Sequence, residues 1–469
     1  MFFVKDYKLN YIMKLGLVIC FLVISAFGFS MGKTQPEDST SNILDKSVAL
    51  VMLEEGKRLF IEGKTKDALI QFRQVQLKDP NSWRPYFWIA NCHFALSNFG
   101  FALKYGNQAV EKNVKNVDPE VYELLGKTYH HLNMVDSAIV NYEKALKFMS
   151  QIRIKDLKIQ TRLDECIFAK AQYEKGDTLK RVKLGKEVNT GYDEYGALLT
   201  SDGKTMYFTA RRNDTKGAKA NPDDQDYFED IYRAVWNEEA LIWDSVTNDI
   251  DRINSNGFDS FSHIDTTDLK AYITVNTTSF KARKKTKGSD IFEIEFSNKG
   301  KWSTPKPIKN KYINSSFFDG APSVTADGNT MYFVSDRKGK KRSTDIYVVN
   351  KINDKEWGEP VVLSDSINTE DSETTPFITP DGRYLFFSSK GHLGMGGYDV
   401  FVAENLGNGN WTKAVNLGSA FNTVNNDTHF KYFINSKQAF LSGTEIVGNK
   451  SSVDIFQIDM SNFTYPSFD

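Results

Sequence analysis

Two hydrophobic rhythms divide the chain. Between residues 48 and 150 a helical pattern returns in units. Gly56, Ala68, Phe72 and Pro80 mark one unit; Ala90, Ala102 and Ala109 mark a weaker one; Leu125, Gly126, Tyr129, Ala138, Tyr142 and Ala145 mark a third. The small-residue marker steps from Gly56 to Ala90 to Gly126, by 34 and then 36 residues. That is the spacing of a tetratricopeptide repeat (TPR), in which small residues let two helices cross closely and aromatics fill the holes beside them. Asp156 to Lys175 reads as an amphipathic capping helix with Leu163, Ile167 and Ala171 on its apolar face, closed by Gly176-Asp177.

From about residue 178 short apolar runs and turn signals take over. Five segments carry Asp, then Ile or Val, then an aromatic: Asp230-Ile231-Tyr232, Asp290-Ile291-Phe292, Asp345-Ile346-Tyr347, Asp399-Val400-Phe401 and Asp454-Ile455-Phe456. The Asp residues are spaced by 60, 55, 54 and 55. Each copy has an upstream Asn (Asn189, Asn254, Asn314, Asn368, Asn422) and an acid five residues later (Glu194, Asp259, Asp319, Glu373, Asp427). Asp202-Gly203, Asp327-Gly328 and Asp381-Gly382 are hairpin turns, with Asp268-Leu269 and Asn435 in their places in the second and fifth copies. Each fourth strand is expected to follow a Trp: Trp243, Trp302, Trp357, Trp411. Repeats of this length made of short strands predict a β-propeller. The last copy lacks a fourth strand, and residues 179–188 resemble one, so they are expected to close the ring.

The expected fold is therefore an α + β multidomain chain: an α-helical TPR solenoid followed by a five-bladed β-propeller. The expected boundaries are 1–30 signal peptide, 31–47 linker, 48–150 three TPR repeats, 151–177 cap, 178–460 propeller and 461–469 tail. The leader reading rests on Lys14 followed by the apolar run Leu15 to Phe29, shorter than a comfortable membrane span. A net charge of −1 gives no bias toward nucleic acid or anionic membrane. Cys20 lies in the leader, and Cys92 and Cys166 are expected to be buried and unpaired.

The propeller pattern resembles the TolB-like, WD40-like repeats of a Bacteroidota envelope family. The resemblance is carried by Gly394-Met395-Gly396-Gly397-Tyr398-Asp399-Val400-Phe401, Thr379-Pro380-Asp381-Gly382 and Phe387-Ser388-Ser389. Members of this PorE-like, type IX secretion-associated family join a TPR array and a propeller to a β-sandwich and an OmpA-like domain. This chain ends after the propeller, so no direct peptidoglycan binding is carried over. The resemblance implies a periplasmic protein held at the outer membrane by envelope or secretion-system partners, without a membrane span after leader cleavage.

Motifs of nucleophilic, zinc or phosphate chemistry are missing, and no catalytic residue or metal site is assigned. Three sets of residues are candidates for binding. Ten cations fall in two loops joining second and third strands: Lys281, Arg283, Lys284, Lys285 and Lys287, then Arg337, Lys338, Lys340, Lys341 and Arg342. They would dock an acidic protein or polymer, with Asp223, Asp224, Asp226 and Glu229 opposing them in the first blade. First helices of the TPR array would line a groove with Lys57, Phe60, Arg84, Phe87, Asn91, Phe94, Glu123, Lys127 and His130, the three Phe exposed. The acids Glu194, Asp259, Asp319, Glu373 and Asp427 would ring the channel mouth, either capping their own turns or holding calcium, the one candidate ion.

The expected function is a non-enzymatic scaffold that bridges partners in an envelope complex. The alternatives are a propeller hydrolase or lyase, and a glycan- or calcium-binding module.

Overall fold

The computed structural model describes residues 37–113, 115–217, 226–276, 288–337, 343–353, 356–448 and 450–468. Helices come first and pair antiparallel: α1 (Glu37–Ile61) with α2 (Thr65–Lys78), α3 (Arg84–Ala95) with α4 (Phe99–Lys112), and α5 (Pro119–His131) with α6 (Val135–Phe148). The short α7 (Gln151–Asp156) and α8 (Ile159–Lys175) follow. Each pair turns on one left-handed residue, Gly63, Ser97 or Asn133, at φ 79°, 57° and 58°. The small markers have a steric cause. A Cβ on Gly56 would lie 2.6 Å from the Phe72 ring, and one on Gly126 would lie 2.7 Å from Tyr142.

The cap turns a different face inward from the one expected. Ile159, Leu163, Cys166 and Ala169 are buried, whereas Ile167 is 51% exposed and Ala171 is exposed. The helix must cover Tyr142 and Ala145 on one side and meet the propeller on another, and this widens its buried stripe. Cys92 and Cys166 are buried free thiols. Among the described residues no helix is long and apolar enough to cross a membrane.

Five sheets form the propeller. Its blades start with the inner strands Glu194–Leu199, Phe258–Ile264, Asp319–Val324, Glu373–Ile378 and Asp427–Phe433. The third strands Asp230–Asn237, Ser289–Ser297, Asp345–Asn353, Asp399–Gly407 and Lys450–Asp459 carry the Asp-Ile/Val-aromatic triples. The short strand Arg181–Lys183 pairs antiparallel with Lys450–Asp459, Val182 opposite Gln457, so the start of the propeller completes its last blade. Gly203, Gly328 and Gly382 take φ of 68°, 69° and 72° in the inner hairpins. Asp268 takes this role in the second blade and Lys437, rather than Asn435, in the fifth. Trp302, Trp357 and Trp411 sit in two-residue strands folded back on the third strand, ahead of the outer strand; Trp243 is inside the outer strand of blade 1.

The recurrent Asn joins one blade to the next. The Asn368 side chain accepts from the Ile346 N–H at 2.8 Å and donates to the Ile346 and Leu363 carbonyls, both at 3.0 Å. It thus mimics a strand peptide beside the third strand of the preceding blade. Asn254 clamps Ile231, Asn314 clamps Ile291 and Asn422 clamps Val400 in the same way. Asn189 clamps Ile455 and so locks the first blade to the last.

Candidate functional site

The five acids follow each Asn and turn back on their own loops. Asp259 accepts from the Ser255 N–H and hydroxyl, each at 2.6 Å. Asp319 does so with Ser315, Glu373 with Thr369, Asp427 with Thr423 and Glu194 with Thr190. All five are fully buried. Three also hold an arginine: Arg212 on Glu194, Arg337 on Asp319 and Arg181 on Asp427. These guanidiniums lie over aromatic rings, Arg212 4.7 Å from Tyr232 and Arg337 5.0 Å from Tyr347. Arg212 and Arg337 both stand eighteen residues after their acid, a sequence signal that the repeat reading did not use.

Burial pushes Asp259 and Glu373 up to about 7, and Asp230 and Asp290, which open two of the Asp-Ile-aromatic triples, to about 6. Acids of adjacent blades also approach one another, since the Asp259 N–H donates to the carbonyl of Glu229 at 3.0 Å and so brings Asp259 beside Asp230. Among the described residues no group of three or more acidic, His or Cys side chains is arranged to hold a metal ion.

Of the expected cationic patch, Lys281, Arg283, Lys284, Lys285, Lys287, Lys338, Lys340, Lys341 and Arg342 lie outside the described residues, as do Asp223 and Asp224. Arg337 is described, and it corrects the patch. Its guanidinium binds Asp319, the Ser335 hydroxyl at 2.8 Å and the Ile313 carbonyl at 2.9 Å, so its charge is spent inside the blade.

The helical array supplies the second set. Phe60 of α1 meets Trp88 of α3 edge to face at 5.7 Å, and Lys57 lies 5.8 Å from the Trp88 ring. One turn on, Asn91 donates to its own helix at Phe87, and Lys127 of α5 lies 4.8 Å from the Phe94 ring and pairs with Glu123. These residues form one half-buried strip across successive first helices. Arg84 is exposed at its edge, 5.4 Å from the Trp83 ring. Two expectations fail here. Phe87 is buried against Trp83 and Trp88 rather than exposed, and Trp88, absent from the expected set, is central.

His130 also leaves the groove. Its Nε2 donates to the Met395 carbonyl at 2.8 Å, and His131 bonds Asn425 at 2.8 Å. The third helix pair and the cap are thus docked on the loops of blades 4 and 5. Ala169, Met395 and Val424 form a small apolar seam, and Lys158 pairs with Asp371 at 2.7 Å. Desolvation pushes His130 down to about 4.

The channel brings Glu229, expected to oppose the cationic segments, together with Tyr195 and His429, which the sequence pattern did not single out. Tyr195, Glu229 and His429 line a cavity of about 500 Å³ on the face that receives the helices, with Tyr195 and His429 ring centroids 5.1 Å apart. Tyr195 hydrogen-bonds Glu229, and burial raises its phenol far above the usual range.

No family model and no curated protein matches the chain. Solved structures match its two parts. The helical part is similar to the first TPR domain of Spaghetti (RPAP3) bound to an HSP90 peptide, at 24% identity over 26% of this chain and 93% of that one, TM-score 0.24. The propeller is similar to a glycoside hydrolase at 10% identity over 68% of this chain and 99% of that one, TM-score 0.42. It is also similar to a thermostable family-43 glycoside hydrolase at 13% identity over 61% and 97%, TM-score 0.38. The expectation that the chain is not an enzyme is thereby corrected: glycoside hydrolases are among the folds its propeller matches, and this architecture does not separate it from them. TPR-like helices followed by a five-bladed propeller are the architecture of this protein.

Proposed function

We propose that the chain is a protein-binding platform of the cell envelope, with the strip formed by Lys57, Phe60, Trp88, Asn91, Phe94 and Lys127 as the surface that takes a partner segment. One observation carries this reading. The third helix pair and the cap rest on the propeller through His130, His131 and Lys158, while the strip, which crosses the first two pairs and ends at Lys127 on the third, stays half-buried, aromatic and cationic. Rigid aromatics with flanking cations suit an extended or helical segment bearing acidic residues. The envelope setting, with attachment to a secretion or motility complex through partners, follows the leader and the family resemblance. The cation-rich segments 281–287 and 338–342 are proposed as a second contact for acidic partners. A photo-crosslinker placed at Asn91 in cells tests the strip: a discrete adduct, lost when Lys57 and Lys127 are changed to Glu, supports it, and no adduct refutes it.

A second reading is favoured by the channel. Tyr195, Glu229 and His429 converge on a cavity of a size that suits a sugar unit, and hydroxyl, carboxyl and imidazole together can orient and transfer protons. Under this reading the platform also acts on, or holds, an envelope glycan. Oligosaccharide turnover or binding that disappears in Glu229→Gln supports it; neither turnover nor binding across an envelope glycan panel refutes it.

A further inference from the structure

The opposite end of the channel presents an unpaired amine at the base of an apolar cavity. We infer that Lys431, with His263 beside it, binds the carboxylate of a small amphiphilic acid whose hydrocarbon body fills that cavity.

Lys431 belongs to the inner strand of blade 5 and is 5% exposed. Its Nζ makes one long hydrogen bond, 3.3 Å to the Pro376 carbonyl, and lies 5.4 Å from the Phe377 ring. An ammonium has three donors, so most of its capacity is unused. No ion pair reaches it among the described residues, and burial alone lowers it, to about 7. A buried cation without a counter-charge is costly. Structural lysines of this propeller are placed differently: Lys183 meets both Glu445 and Asp454 at 2.9 Å.

The surroundings point to an anion with an apolar tail. Lys431 borders a cavity of about 370 Å³ that opens among the inner hairpins, on the face away from the helices. This is within the ~300–1,000 Å³ range of small-molecule sites. Ile264, Val324, Phe377, Ile378 and Phe433 give it apolar walls. His263 lines the same cavity, makes no side-chain hydrogen bond among the described residues, and is held neutral, down to about 3, by burial and by Lys431. A neutral imidazole supplies one N–H, and Lys431 supplies its free N–H groups, to two carboxylate oxygens. The carboxylates at the rim are occupied: Asp202 by Thr200 and the Lys204 N–H, Asp265 by Thr267 and the Leu269 N–H, Asp268 by Ser201. His429, on the far side of Lys431, is tied to Thr428 at 2.8 Å and faces the other cavity. The inference uses neither the strip nor Glu229, and Lys431 stands between the two cavities, bordering the Tyr195–Glu229–His429 cavity as well as this one.

Calorimetric titration of the whole chain with octanoate and with octanol tests it. Octanoate should bind, octanol at least ~30-fold more weakly, and Lys431→Met should weaken octanoate by a similar factor, as expected for loss of a buried charge pair. Lys431→Met removes an uncompensated buried charge, so its melting temperature should equal or exceed that of the unaltered chain. If that variant does not fold, the octanoate and octanol comparison on the unaltered chain decides. No octanoate binding near ~1 mM, equal binding of octanol, or unchanged octanoate binding in a folded Lys431→Met protein would each overturn the assignment.

Discussion

The Nε2 of His130, at the end of the fifth helix, donates to the carbonyl oxygen of Met395 in the fourth blade at 2.8 Å. A carbonyl oxygen only accepts, so Nε2 carries the proton of a neutral imidazole. The loop that offers this carbonyl is Gly394 to Tyr398. Gly396 takes φ 143°, and a Cβ there would lie 2.6 Å from the Val424 carbonyl and 3.0 Å from His130. Gly396→Ala should therefore separate helices from propeller while leaving each folded. Limited proteolysis between residues 176 and 181 should accelerate, with far-ultraviolet circular dichroism unchanged.

Acid should loosen the same contact. His130 sits at about 4 in the docked protein against its ordinary 6.5, because burial disfavours the charged form. A group lowered on folding contributes stability that is present above 6.5 and lost as pH falls toward 4. Proteolytic release should rise over that window. In His130→Gln, whose amide keeps a donor, the pH dependence should flatten.

The propeller should respond with the opposite sign. Asp259 and Glu373 are raised by burial to about 7 from ordinary values of 3.8 and 4.5. Raised groups add stability that is full at low pH and lost as pH climbs through about 7. Thermal unfolding should shift downward between pH 5 and 8. Asp259→Asn, which retains an acceptor for Ser255, should remove part of that slope and raise the melting temperature at pH 8.

Arg337 separates an internal role from a docking role. Its removal strands Asp319 without a counter-charge, which costs on the order of 3–5 kcal/mol. Arg337→Met should lower the stability measured by denaturant titration by about that amount. A near-neutral change would mean that the pair with Asp319 contributes little and that Arg337 is available at the surface.

Much of the architecture could be read from period alone, because repetition writes each structural demand several times. Gly56 and Gly126 announced the helix crossings, and the Asn and acid of each copy marked the blade repeat. What that Asn does was less legible. Asn368 pairs with Ile346 and Leu363, partners 22 and 5 residues away that meet only once the third and outer strands of the preceding blade lie side by side. His130 was misplaced because the repeat pattern describes how helices stack on one another, and not what the finished stack leans on. Phe87 was misplaced because adjacent helical residues point about 100° apart, so Phe87 and Trp88 cannot both face the groove, and Trp88 takes the position. Lys431 gave no signal, since a single lysine in an alternating strand looks like a solvent-facing residue until the ring closes around it.

The central claim is that the half-buried strip running from Lys57 on the first helix pair to Lys127 on the third takes a partner, while His130, His131 and the cap hold the propeller. Crosslinking at Asn91 in living cells addresses it most directly. The account predicts one dominant adduct that vanishes with Lys57→Glu and Lys127→Glu, while the melting temperature stays unchanged because exposed and half-exposed ion pairs add little to folding. An adduct of equal yield in the altered protein, or none in the unaltered one, would contradict it.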